Sequence, residues 1–333
     1  MIHFWTPEPL DGGFAGWDPD LEPGRYPSGV GHCLLELYKR LRRRGVPVTV
    51  GPVVPGTTQC LVAAMESFYQ WHLLQPNELL IQQFLSTFQS IPRIVAIRGD
   101  IPETARLVAP RVIEVVPHTA AVQEPHQIWI PLLPQRGLIR RSAERRGAVR
   151  TVGIFAYTEN VPDIYHSPAW RSDLAGLGMA VVERTYDPEA GVLPVWHDFS
   201  DVDVLLGARH DVWSLGLARK PPVKLINAWS AGCIPLLGAN ELGSVELGRP
   251  GIDCLVAEAP EATIDVLAQL ADPEVVRRLE AGGAERAGEF SVDRIVDQWL
   301  DLLEGKVIEL PGDHATAPST CDHRAPIRPI LST

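Results

Sequence analysis

No apolar run in the sequence is long enough to cross a bilayer. The longest, residues 112–117 and 202–208, fall far short of the roughly 20 residues that a spanning helix needs. There is no basic surplus either. Lys+Arg number 30 against 41 Asp+Glu, a formal charge of −11, which excludes a general nucleic-acid binder while leaving room for a local basic pocket. Cysteines are few and unpaired in pattern. The five (Cys33, Cys60, Cys233, Cys254, Cys321) are odd in number and scattered, with no CxxC, and Cys33, Cys233 and Cys254 sit among apolar neighbours. That reads as reduced, buried thiols rather than disulfides or a zinc site. The opening residues lack a basic start, an apolar stretch and a cleavage site, so the expected location is the cytoplasm. No GxGxxG follows the first β-rich run, which argues against a nicotinamide dehydrogenase. No HxxxH is present. Of the acidic pairs, Asp18-Pro-Asp20 falls in a loop and Asp201-Val-Asp203 opens a buried strand, where Asp203 faces structure rather than a metal, so the expected metal set is none.

What is present is an alternation of short β-rich runs with helical periods, the pattern of an α/β protein with mostly parallel sheets. Residues 2–5 read as the first strand, followed by a Gly/Pro/Asp-rich loop from 6 to 27. Ser28 then caps a helix whose apolar positions recur at three and four (Val30, Cys33, Leu34, Leu37, Tyr38, Leu41) and which ends at Gly45. Strands are expected at 46–50, 94–97, 112–116 and 127–131, while 61–88 looks mostly helical by composition. Residues 136–150 are polar and carry Arg140, Arg141, Arg145 and Arg146, so they read as a linker. The same grammar then restarts, with strands at 151–156, 179–184, 202–207, 234–237 and 254–257 and helices at 168–177, 222–231, 261–271, 273–289 and 292–304. The division that follows is an N-terminal Rossmann-like domain at 1–147, a second at 148–304, and a poorly ordered tail at 305–333. Two such sheets flanking a linker make a cleft.

The segment from Lys220 to Gly238 carries the most chemistry. Pro222 suits the first turn of a helix, where its missing N–H is not needed. The next N–H groups, from Val223 to Leu225, lack intrahelical acceptors and lie at the positive end of the dipole, so the terminus suits a diphosphate. Lys224 adds a full charge, and Asn227 falls on the same face three residues on. Gly232 turns the chain into the next strand. An ordinary amphipathic helix with a solvated lysine fits the same letters.

The lysine-bearing helix followed by Ala-x-x-Ala-Gly-x-x-Pro and a strand resembles the donor-binding segment of GT-B glycosyltransferases, and Gly251-Ile-Asp-Cys-Leu-Val256 resembles the stretch that follows it. The chain is similar to a group of bacterial glycosyltransferase-like proteins at 97–100 (Ile-Arg-Gly-Asp), 134–139, 196–203 and 220–238. The resemblance implies a GT-B fold of two Rossmann-like domains facing a central cleft. It also implies transfer of a sugar from a nucleotide-sugar donor, without a cofactor, to an acceptor that is a glycan, a lipid-linked sugar or a small molecule. One departure stands out. Many retaining members carry two glutamates eight positions apart across the start of this helix, and the matching residues here are Arg219 and Asn227, so an inverting mechanism is the better expectation.

Inverting transfer needs a base beside the acceptor hydroxyl and positive groups at the departing diphosphate. His32 is the first candidate for base. It follows Gly29 and Gly31, an expected acceptor loop that resembles the histidine turn of inverting GT-B enzymes, although a histidine that merely opens a helix fits as well. Asp100 is the rival base, or a helix cap, and His118 stands third. On the donor side Asn160, Arg209 with His210, and Glu241 each follow an expected strand, where ligands gather in α/β sheets. The run Lys39–Arg44 ends the first helix. It reads as a solvated face, with a weak membrane-surface contact as the alternative. Two other functions remain open on the same fold: a nucleotide-sugar epimerase and a catalytically silent nucleotide-sugar-binding protein.

Overall fold

The structure, a computed structural model, describes residues 1–70, 73, 75–99, 107, 109–186, 195–207 and 220–306. The 307–333 part of the expected tail lies outside these residues.

Strands β1 (Ile2–Trp5), β2 (Val48–Gly51) and β3 (Cys60–Ala64) begin the first sheet. A small antiparallel pair follows, β4 (Tyr69–Gln70) with β5 (Gln75–Pro76). β6 (Arg93–Ile97), β7 (Val112–Val116) and β8 (Gln127–Trp129) complete a six-stranded sheet ordered β2-β1-β3-β6-β7-β8, parallel at every pairing. The second sheet joins β9 (Thr151–Tyr157), β10 (Ala180–Tyr186), β11 (Val204–Leu206), β12 (Ile234–Gly238) and β13 (Leu255–Ala257) in the order β10-β9-β11-β12-β13, again all parallel. Both sheets therefore reverse their winding beside their own first strand, at β1/β3 and at β9/β11. Ligands of open α/β sheets collect outside the carboxyl ends of strands at such reversals.

Residues 61–88 depart from the helical expectation. β3 is buried along its whole length, so its apolar run has no alternation to mark it as a strand. A 3-10 turn follows at Met65–Phe68, and the helix itself is only Glu78–Thr87, capped by the Asn77 side chain. The first long helix begins with a π-helical turn at Gly31–Leu35 before Glu36–Arg43.

Residues 136–150 run between the two sheets, but not as a solvated strap. Arg136 and Arg141 are buried. Arg141 donates to Asp203 Oδ1 at 2.8 Å, and Arg145 donates to Oδ2 at 2.6 Å. The backbone N–H groups of Arg150 and Thr151 donate to Oδ2 as well, at 2.8 and 3.0 Å. Burial raises the Asp203 carboxyl, and these arginines and amides outweigh it, holding the pKa below the usual carboxylate range. Asp203 thus anchors the connector to the second sheet.

The final helix, Val292–Glu304, crosses back. Its Ile295, Val296, Trp299, Leu302 and Leu303 pack in one core with Phe4, Leu34, Leu37 and Leu41, so this part of the expected second domain completes the first lobe. Arg93 donates to the Leu302 and Leu303 carbonyls, the unsatisfied end of that helix. A further cluster spans both lobes, with Val116, Ala121 and Trp129 against Leu225, Ile226 and Trp229.

Candidate active site

A cavity of about 490 Å³ opens between the lobes, within the usual range for small-molecule sites. The second lobe contributes the last residue of β9, Tyr157, with Glu159 and Asn160 just beyond it, and the first contributes Gly29, His32, Glu66, Arg98 and Gly99. Lys220, Pro221, Val223, Lys224 and Asn227, at the start of the Val223–Ala231 helix, line it as well. That helix forms where expected. Pro222 occupies its N-cap, and Gly232 ends it in the left-handed conformation with φ 78°. The N-cap side chain itself, a proline, offers no hydrogen bond to the helix start. Of the expected three N–H groups, that of Val223 donates to the Pro221 carbonyl at 2.8 Å. The Asn227 carbonyl oxygen accepts from Gln135 N at 2.7 Å, which ties this helix to the interlobe segment at the cavity wall.

His32 lies on the opposite wall. Its Nε2 is 3.3 Å from a guanidinium nitrogen of Arg136, and since arginine only donates, Nε2 accepts. Burial first, then this cation, push the imidazole pKa down to about 3. The ring is therefore neutral at physiological pH and offers its Nδ1–H, a hydrogen-bond donor rather than a ready base. Arg136 also donates to the Arg25 and Tyr26 carbonyls, each at 3.0 Å. Gly31 serves that same loop. A Cβ there would stand 1.9 Å from the Tyr26 carbonyl oxygen, so its smallness fits the chain to itself.

Among the other expected residues, Gly29, Asn160, Lys224 and Asn227 come together at this cavity. Gly31, His118 and Glu241 do not line it. Glu241 is buried just ahead of the Leu242–Leu247 helix, 3.5 Å from the Ser244 hydroxyl. His118 is buried near Glu246, whose carboxylate accepts from Ala120 N and the Thr119 hydroxyl. Asp100, Arg209, His210 and Arg219 lie outside the described residues. The basic run is largely neutralised: Arg40 bonds Asp20 through two nitrogens at 2.5 and 2.6 Å, Arg43 pairs with Asp18 and Asp20, and Arg44 with Asp293 and Asp297. None of the four described cysteines is in a disulfide. Among the described residues no helix is long and apolar enough to cross a membrane.

Two cleft residues, Glu66 and Arg98, were not among the expected site residues, although Arg98 falls in the 97–100 stretch. Glu66 was hidden in the stretch read as helical. Arg98 follows β6 and pairs with buried Glu114 at 2.6 Å, a partner 16 residues away that no local pattern announces.

No protein-family profile and no curated protein matches the sequence. Solved structures match the fold. HepE of Anabaena, in complex with UDP and glucose, has a TM-score of 0.50 at 13% identity, over 91% of this chain and 99% of its own. The pneumococcal O-GlcNAc transferase GtfA, in complex with UDP and GlcNAc, also has a TM-score of 0.50, at 10% identity, over 74% of this chain and 56% of GtfA. The architecture is GT-B: two Rossmann-like domains with parallel sheets facing a central cleft.

Proposed function

We propose that the protein moves a sugar from a nucleotide-sugar donor to an acceptor hydroxyl, without a metal. The observation that carries this reading is the start of the Val223–Ala231 helix, which has a proline at its N-cap and lines the interlobe cavity with Lys220 and Lys224 beside it. Amide dipoles and ammonium groups at one point suit a diphosphate and would stabilise it as the leaving group. The proteins of similar fold point the same way, since HepE and GtfA are both described in complex with UDP and a sugar. Asn160, beyond β9, would meet ribose or phosphate, and Asn227 would hold the helix start to the Gln135 segment. His32 would donate a hydrogen bond to a sugar hydroxyl.

The test is a thermal-shift screen with UDP, GDP, dTDP and ADP and their sugars. Binding to the native state alone raises apparent stability by about 2.7 kcal/mol at a hundredfold excess over Kd. The expected result is a shift with one nucleoside diphosphate, followed by release of that diphosphate from its sugar in turnover. A protein that shifts with none of the four is not a transferase of this kind. Conversion of donor to an epimer without any acceptor would place it among the epimerases instead.

A further inference from the structure

Three aromatic rings meet where the second lobe borders the interlobe cavity. Tyr157 ends β9, Tyr186 ends β10 beside it in register, and Trp196 stands in the stretch leading to β11. Ring centroids are 5.3 Å apart for Tyr157 and Trp196, 5.2 Å for Tyr157 and Tyr186, and 6.4 Å for Tyr186 and Trp196. The interplanar angles are 73°, 69° and 85°, so the rings pack edge to face and make a corner. The Trp196 indole N–H donates to the Arg184 carbonyl at 2.6 Å, which fixes the orientation of that ring. Tyr157 is 40% exposed despite its two aromatic neighbours, and both it and Trp196 line the cavity. Rings held rigid by one another at a cavity wall make a stacking platform for a planar ligand.

The charged residues of the second-lobe wall fall in two places. Among the described residues they are Lys220 and Lys224, at the start of the Val223–Ala231 helix, and Glu159, in the turn two residues beyond Tyr157. Glu159 is exposed and, among the described residues, has neither a hydrogen-bond nor an ion-pair partner. Both its oxygens therefore keep their acceptor capacity beside the rings. With the diphosphate at the lysines, the base is the one planar aromatic part of the donor, and the corner is where it finds a matching surface. The bases differ in what they show a carboxylate. Uracil and thymine present one N–H between two carbonyl oxygens, which a carboxylate repels. Adenine presents an amino group next to a ring acceptor. Guanine presents N1–H and the 2-amino group side by side, two donors that match two carboxylate oxygens.

We propose that the donor is a guanosine diphosphate sugar, its guanine stacked in the corner of Tyr157 and Trp196 and read by Glu159. The inference rests on the transfer reading above and names the base which that reading leaves open. Glu159 is then a specificity residue, which touches the base and takes no part in the transfer step.

The test is titration calorimetry on the full chain with GDP, IDP, UDP, ADP and inorganic diphosphate. IDP differs from GDP by lacking the 2-amino group. GDP should bind about tenfold tighter than IDP, the scale of one hydrogen bond to a charged group, and about a hundredfold tighter than UDP or ADP. Glu159→Gln should bring GDP down to the level of IDP, since one amide oxygen cannot serve both donors as a carboxylate does. Trp196→Ala should weaken GDP and UDP alike by about tenfold, because stacking is indifferent to the base. Inorganic diphosphate should bind the parent and both variants within about twofold, which separates a loss at the base from a damaged fold. UDP or ADP binding as tightly as GDP, or a preference for GDP over IDP that survives Glu159→Gln, overturns the base assignment while the donor reading stands. A parent protein that binds no nucleoside diphosphate removes both.

Discussion

The Arg136 guanidinium donates to Nε2 of His32 at 3.3 Å, so an arginine of the interlobe segment fixes the proton state of a cleft histidine on the first lobe. Glu36, one helical turn beyond His32, completes the group, with Arg40 donating to it at 3.0 Å and Arg136 Nε at 3.7 Å.

This cluster predicts a characteristic pH response. His32 is depressed from 6.5 to about 3, so the unfolded chain takes up a proton that the folded one refuses, and its contribution is full above pH 6.5 and lost as pH falls. Burial raises Glu36 from 4.5 to about 7 against the pull of Arg40 and Arg136, so its contribution is full below pH 4.5 and lost as pH rises. The two slopes oppose each other between pH 4.5 and 6.5. In urea denaturation of the parent protein these two slopes should largely cancel, leaving as the baseline for both variants the rise with pH that buried His3 and half-buried His197 contribute. His32→Gln should lose stability with rising pH, and Glu36→Gln should gain it, at about 1.4 kcal/mol per unit. Parallel profiles for both variants would contradict this.

Lys224→Ala should weaken nucleoside diphosphate binding by roughly 1.5–3 kcal/mol, the scale of a charge-assisted hydrogen bond. Titration calorimetry reads this directly. Unchanged affinity would remove the helix start as the diphosphate site.

Gly31→Ala separates packing from acceptor contact. A methyl group 1.9 Å from the Tyr26 carbonyl oxygen forces the loop to move, so thermal unfolding should report a loss of about 1–3 kcal/mol. A variant of full stability would show that the loop yields freely.

Asp203→Ala leaves Arg141 and Arg145 facing an empty position. Breaking one partner of a buried ion pair costs about 3–5 kcal/mol, and denaturant unfolding should show a shift of that size. A change under about 1 kcal/mol would mean that water replaces the carboxylate without loss.

The helix start at Pro222 and its end at Gly232 were legible because both residues act through local backbone rules: fixed φ at one end, left-handed φ at the other. β7 and the closing helices were legible from period and length. β3 was not, because a strand buried on both faces carries no alternation. The arginines of 136–150 looked solvated because Asp203, which receives two of them, lies some 60 positions away. Glu66 was lost with β3: once the strand was misread, nothing showed that a carboxylate stands beyond its carboxyl end. Val292–Glu304 was correctly read as a helix, yet its period says only that one face is apolar, not which lobe receives it.

That returning helix bears on how the chain is made. The first lobe is synthesised before the second, but Trp299 and its neighbours, which close the core over Phe4 and Leu37, leave the ribosome only after the second sheet. A nascent chain halted at residue 147 would hold an unfinished, sticky surface, so the first half must wait for the second before either can be considered assembled.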